Sequence, residues 1–344
     1  MSRLALCLVF LTESAMAQDI GAIQKVVPPV AGFYSKRLTV RGIVVLAHAD
    51  VSDAAIREAA RRLDRQLAGA PAIQGNLARL GVHVHIIGKD QACSDLPEYR
   101  HLRGKPVDGT KTIDERGRGY GGLFASCAEE NLLRLPSDRW KDHRDICMHE
   151  FARTIFAFAL DGALRGKIEA QHRSSLAAGR WKTMYAATNA DEFFAELTMW
   201  YFGTRGDYGK LDPPPAEGAD WLRAYDTEAY DLLDAVYRGR FRPPQLEVAE
   251  LTPLPPDSEG KVRSKASEQP TQLMVFNPTA QPAKLFWLDW EGRRKDFGQV
   301  PPGSAESRRT FVGHPWLVEL QDGRVVGIFV PNKRIGRVTV AEPQ

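Results

Sequence analysis

The sequence predicts an α+β domain followed by an all-β sandwich, and three observations predict it. Apolar spacing alternates between the period of two expected of strands and the 3.6-residue period of helices across residues 18–245. A Pro-rich and then polar stretch follows at 246–270, which reads as a linker. Beyond Thr271, at 271–344, only short alternating runs separated by turn residues remain. The composition agrees with a globular chain: of 344 residues 43% are hydrophobic, with 29 Gly, 22 Pro and 4 Cys, which excludes collagen-like, low-complexity and disulfide-dense classes. A net charge of +3 is too small for a nucleic-acid footprint.

The first residues read as an export signal. Arg3 supplies the positive start, residues 4–11 are an apolar run, and Ala15-Met16-Ala17 is a cleavage site before Gln18. Eight apolar residues fall far short of the roughly 20 that span a bilayer, so no transmembrane segment is expected and the mature chain is secreted or periplasmic. Cys7 leaves with the signal. Of Cys93, Cys127 and Cys147 at most one pair forms, and Cys93 with Cys127 is favoured because both lie in loop-like sequence.

In the first domain, 38–47 (LTVRGIVVLA) reads as a strand. Residues 52–67 read as a helix capped by Ser52, with Ala55, Ile56, Ala59, Leu63 and Leu67 on one face. The run 81–88 (GVHVHIIG) alternates again and is either a core strand or one that aligns an extended substrate. Residues 93–136 carry few periodic signals and read as a long ordered loop. Helical spacing returns at 145–160 (DICMHEFARTIFAFAL), at 191–202 (DEFFAELTMWYF, capped by Asn189 or Thr188) and at 219–237. The tail carries strand-like runs at 273–277, 284–290, 308–312, 316–321, 325–330 and 336–341.

One constellation carries chemistry. His149-Glu150-Phe151-Ala152-Arg153 lies on a helix, where positions 149 and 153 share a face; two histidines at that spacing chelate one zinc ion while the Glu between them acts as general base. This stretch, with Tyr185 and Glu192-Phe193-Phe194-Ala195-Glu196, resembles the gluzincin metallopeptidases of the anthrax lethal factor type. The resemblance implies His149 and Glu192 as zinc ligands and Glu150 as the base that activates water. It also implies Glu196 as the partner supporting His149, and Tyr185 as the residue that steadies the oxyanion. Arg153 departs from the pattern. A guanidinium has no lone pair to donate and puts a fixed positive charge where a dication would sit. Arg153 is therefore expected to take the metal's place and to pair with Glu192 and Glu150. His143 lies off the shared face, and His83 and His85 fall on a strand, so none obviously restores the ligand count.

The tail holds Val275-Phe276-Asn277, Trp287-Leu288-Asp289-Trp290-Glu291-Gly292, Pro301-Pro302-Gly303, Arg308 through Trp316 (RRTFVGHPW) and Ile328-Phe329-Val330-Pro331. In order and spacing these resemble the von Hippel-Lindau β-domain family. The resemblance implies an aromatic pocket for a hydroxyproline-bearing peptide, formed by Trp287, Phe297, Thr310, His314 and Trp316. Phe297 stands where the family has Tyr, and Thr310 where it has Ser. Trp287 and Trp316 read equally well as sandwich core. The family's helical second domain, which recruits ubiquitin-ligase partners, has no counterpart after Val340.

The expectation is an exported protein of zinc metallopeptidase lineage, catalytically impaired at Arg153, with a peptide-binding β-domain. The alternative is an active zinc-dependent endopeptidase with an unrecognised third ligand.

Overall fold

The computed structural model describes residues 20–341; the expected signal at 1–17 and Cys7 lie outside them. The chain is α+β. Strands β1 (Gln24–Val30), β2 (Tyr34–Val40) and β3 (Ile43–Ala47) form an antiparallel meander. The expected single strand at 38–47 is thus the two arms of a tight hairpin. Val40 pairs with Ile43, and Arg41 and Gly42 both take positive φ, as a type I′ turn requires.

Helix α1 (Asp53–Leu67) begins where the Ser52 side chain accepts from Ala55 N–H at 3.3 Å, and it buries Ala55, Ile56, Ala59, Leu63 and Leu67 on the sheet. Helix α2 (Pro71–Leu80) follows, with Pro at its first turn and left-handed Gly81 ending it. Strand β4 (His83–Ile87) then enters between β3 and a later strand, parallel to both.

The stretch 93–136 is more ordered than a loop. It holds the small hairpin β5 (Pro106–Asp108) and β6 (Lys111–Thr112), helix α3 (Ile113–Arg116), β7 (Gly119–Tyr120), the buried strand β8 (Phe124–Ala128) and α4 (Glu129–Leu132). Strand β8 (FASCA) is built mostly of small residues and so lacks the β-branched signature. The sheet order is β1-β2-β3-β4-β8-β7, with β7 at one edge.

Helix α5 (Ile146–Thr154) packs on β8 and continues as a π-helical turn at Ile155–Ala159; α6 (Gly162–Ala177) and α7 (Ala190–Tyr201) follow. The single helix expected at 219–237 is two, α8 (Ala219–Tyr225) and α9 (Thr227–Tyr237). Asp226 breaks it by turning its side chain to accept from Ala229 N–H at 3.2 Å. Phe151, Phe193, Phe194, Trp181 and Trp200 are fully buried where these helices meet, each contributing about 1.5–3 kcal/mol of apolar burial.

All three described cysteines are free and buried, which overturns the Cys93–Cys127 pair. Alternation along β8 explains it. Cys127 faces the helices with Cys147, whereas Cys93 lies in the cluster on the other face with Ala128 and Ile113, its thiol donating to Gly117 O at 3.2 Å.

The C-terminal part is a sandwich of two four-stranded sheets. One holds β9 (Val248–Glu250), β10 (Pro270–Asn277), β13 (Ser304–Phe311) and β16 (Ile335–Thr339), in the order β13-β10-β16-β9. The other holds β11 (Ala283–Leu288), β12 (Arg294–Val300), β14 (Trp316–Leu320) and β15 (Val325–Phe329), in the order β12-β11-β14-β15. Strand β12 is polar and exposed, an edge strand held by pairing with β11. Strand β9 falls within 246–270, so that stretch is not a free linker: it pairs in parallel with β16, and Ser264 Oγ donates to Leu288 O at 2.7 Å. Met274 and Phe276 of β10 join the hydrophobic core of the first domain, so the two parts share one apolar interface.

Candidate functional site

Two groups of side chains merit description. The first lies where α5 crosses α7. Asp145 fixes the start of α5: its side chain accepts from Met148 N–H at 3.1 Å and pairs with buried Arg62 Nε at 2.6 Å. Asn189 does the same for α7, accepting from Glu192 N–H at 2.8 Å. The spacing of four then puts Glu192 and Glu196 on one face of α7, opposite His149. His149 Nε2 is 3.0 Å from Glu192 Oε2, and its Nδ1 is 3.1 Å from Glu196 Oε1. Tyr185, exposed in a short 3₁₀ turn, donates to Glu192 Oε1 at 3.3 Å.

Arg153 enters this cluster as expected, although its best partner is another residue. Its Nε donates to Asp191 Oδ2 at 2.9 Å, and its Nη1 lies 3.5 Å from Glu192 Oε1 and 3.7 Å from Glu150 Oε2. Asp191 is an unexpected partner; its sequence signal is an acid in the first turn of α7, one residue before Glu192. Glu150 is buried and its Oε2 has no hydrogen-bond partner among the described residues.

Protonation follows from these contacts. Burial opposes charge on His149, but its bonds with Glu192 and Glu196 outweigh burial and push it up to about 10. Burial would raise Glu192, yet His149 and Arg153 hold it below the usual carboxylate range. For Glu150 burial wins over the pull of His149 and Arg153, and the carboxyl is raised.

The cluster forms the floor of a cleft of about 540 Å³ that is also lined by Tyr120 and Trp140. One wall is strand β7. A Cβ at Gly119 would sit 2.5 Å from Ile146 Cγ2, and one at Gly121 would sit 3.1 Å from Arg153 Cβ, so glycine lets this edge lie close against α5. The substrate-aligning role considered for 81–88 fails on topology. Strand β4 is paired on both sides and has no free edge, whereas β7 is an edge strand beside the cleft. The other histidines are elsewhere: His143 pairs with Glu217 at 3.0 Å on the surface, and His83 and His85 line a different cavity.

The second group lies on the sandwich. Trp287 and Trp316 are cross-strand partners on β11 and β14. Trp316 is core, 2% exposed, and its Nε1 donates to Thr310 Oγ1 at 3.0 Å. Phe297 stands edge-on to Trp316 at 5.0 Å between centroids, and His314 lies 5.6 Å from Trp287. All five expected residues therefore converge. Trp290, 5.3 Å from His314, and Phe311, 5.4 Å from it, extend the group and were not foreseen. Trp290, Phe297 and Phe311 are 49%, 46% and 40% exposed, an aromatic rim over a buried floor. Burial lowers His314 despite its hydrogen bond with the Lys265 backbone, and neither His314 Nε2 nor Trp287 Nε1 has a hydrogen-bond partner among the described residues.

Replacing Thr310 tests this floor. Thr310→Val removes the acceptor of a buried indole N–H and is expected to cost about 1–3 kcal/mol in urea unfolding, while Thr310→Ser stays close to wild type. Equal loss in both variants would show that packing of the methyl, not the hydrogen bond, holds Trp316.

Residues 262–327 match the family described as the VHL beta domain. The match includes all five pocket positions and begins inside the polar stretch, near Ser264 and Lys265, which bond to the sandwich. The two-sheet fold and this match make the C-terminal part similar to the VHL beta domain. No helix among the described residues is long and apolar enough to cross a membrane.

Proposed function

We propose that this is an exported binding protein of metallopeptidase lineage, in which the old catalytic cleft works without metal and the β-domain captures a peptide. The single observation that carries the reading is the cluster of aromatic rings on the sandwich. It presents two buried, unpartnered ring nitrogens, His314 Nε2 and Trp287 Nε1, beneath an exposed rim, within the segment that matches the VHL beta domain. Burying a polar atom without a partner costs about 1–3 kcal/mol, and a ligand carrying a hydroxyl on an apolar ring relieves that cost while the aromatic faces cover the ring. Hydroxyproline has that chemistry. Thr310 Oγ1 already accepts from Trp316 but keeps its own proton to donate.

The cleft supports the other half. Catalytic zinc takes three protein ligands and keeps an open position. Here the donor set does not fit: both nitrogens of His149 face carboxylates, and the third position holds a guanidinium 3.5 Å from Glu192. Export rests on the 1–17 stretch of the sequence.

The test is a calorimetric titration of the full chain with a hydroxyproline peptide and its proline counterpart. One satisfied hydrogen bond is worth about 0.5–1.5 kcal/mol, so the hydroxylated peptide is expected to bind several-fold to about tenfold more tightly. His314→Ala, with folding checked by circular dichroism, should erase that preference. Equal affinity for both peptides in the wild type would reduce the β-domain to a scaffold.

A further inference from the structure

The carboxylates on the floor of the cleft already have cationic neighbours. His149 lies between Glu192 at 3.0 Å and Glu196 at 3.1 Å, Asp191 takes Arg153 Nε at 2.9 Å, and Glu150 has Arg153 Nη1 at 3.7 Å. Asp207 accepts from the Tyr185 backbone N–H at 2.7 Å and pairs with Arg144 at 3.2 Å. Arg118 is tied to Glu130 by two hydrogen bonds, at 2.6 and 2.8 Å. At the mouth the balance is looser. Arg116, the last residue of α3, also lines the cleft; its guanidinium lies 5.9 Å from the Tyr120 ring centroid, and its one carboxylate neighbour is Asp108, with Nε 3.4 Å from Oδ2 on the exposed side. Exposed Lys111 adds a further positive charge there.

Arg153 is not used up by its acids either. Its Nη1 and Nη2 donate no hydrogen bond among the described residues, and neither is sealed from solvent, so both N–H groups are open to the cleft that Arg153 lines. The charges of Arg116 and Arg153 both bear on the hydroxyl of half-exposed Tyr185, so the two guanidinium groups lie around one spot of the cleft. Guanidinium forks match the two oxygens of a carboxylate. A phosphate dianion suits the spot less well, because it would set a second negative charge beside Glu192 and Glu150. The walls fit a peptide. Tyr120 and Trp140 offer rings to a side chain, β7 pairs with β8 alone and keeps one free edge, and a cleft of about 540 Å³ holds a few residues.

We infer that the cleft is a receptor for a carboxylate-bearing peptide, with the carboxylate held between Arg116 and Arg153. The inference rests on the reading of this cleft as a metal-free binding site and names the ligand chemistry that such a site selects. An acidic side chain and a free chain end carry the same group, and the test tells them apart.

Three acetylated tripeptides are the probes, titrated into the full chain by calorimetry with EDTA present. They are Ala-Ala-Phe with a free C-terminal carboxylate, the same peptide as its amide, and Asp-Ala-Phe amide, whose carboxylate is on a side chain. At least one of the two carboxylate peptides is expected to bind saturably and about tenfold or more tightly than the neutral amide, the scale of one charge-assisted hydrogen bond. Whichever binds names the source. Arg116→Gln, a change at an exposed position with folding checked by circular dichroism, should bring that peptide down to the level of the neutral amide. Equal affinity for all three peptides, no saturable binding of either carboxylate peptide, or a preference that survives Arg116→Gln would overturn the inference. A preference lost in His314→Ala would overturn it too, because the peptide would then sit on the β-domain. The metal-free reading fails by a different result, stoichiometric zinc in the wild-type chain.

Discussion

Arg153→His is expected to convert a protein with far less than one zinc per chain into one that holds close to one. The substitution supplies a second imidazole on the face of α5 that carries His149, one helical turn away, and removes the guanidinium that lies 3.5 Å from Glu192 Oε1. His149, the new His and Glu192 then form the three-ligand set of a catalytic zinc site with an open position. The gain is not free, because His149 must give up its Nε2 contact with Glu192 and become neutral, while Nδ1 keeps Glu196. Metal analysis after dialysis reads the result directly. If hydrolysis of peptides appears with the metal, Glu150→Gln should abolish it and leave zinc bound, because Glu150 moves protons without being a ligand. Tyr185→Phe should lower turnover with little change in zinc. Activity that survives Glu150→Gln would place the chemistry elsewhere.

The second large effect is on stability. Arg153→Met keeps much of the side chain's apolar volume and removes the cation shared by Asp191, Glu192 and Glu150. Breaking a buried ion pair by removing one partner costs about 3–5 kcal/mol, and the partial exposure of Arg153 and Asp191 brings the expected loss below that range, to about 2–3 kcal/mol. A double change, Arg153→Met with Asp191→Asn, should recover part of the loss, because Asp191 is then no longer an unpaired carboxylate. Urea unfolding followed by circular dichroism measures both. An Arg153→Met protein as stable as wild type would mean that the guanidinium is an incidental neighbour of the carboxylates.

The sequence showed most where local signals agreed with the tertiary outcome. Helices α1 and α7 carry an apolar face together with a side chain that caps the first turn, and both formed where the spacing put them. Helix α6 has no clean apolar stripe, since only Leu164, Ile168 and Ser175 are buried, and it went unseen. Strand β12 is polar along nearly its whole length and becomes a strand only because β11 offers an edge; β9 likewise exists because β16 does. The hairpin at Arg41-Gly42 was legible in principle, because glycine at the centre of a β-branched run signals a tight turn.

At the cleft, His149, Glu192 and Glu196 are named by the resemblance to the gluzincins, not by spacing, and two helices face to face bring them together. Which carboxylate Arg153 would choose was not readable. A long side chain reaches several acids, and the one-residue difference between Asp191 and Glu192 is decided by how α7 is rotated against α5. The same holds for Trp290 and Phe311, whose place on the pocket rim depends on the turns that follow β11 and β13.

In this cleft a side chain, Arg153, supplies the cation beside Glu192 and Asp191. The most direct measurement is elemental analysis of the purified wild-type protein after exposure to excess zinc and dialysis. Far less than one zinc per chain is expected; stoichiometric zinc that resists dialysis and is lost in His149→Ala would show that the cleft is a metal site after all.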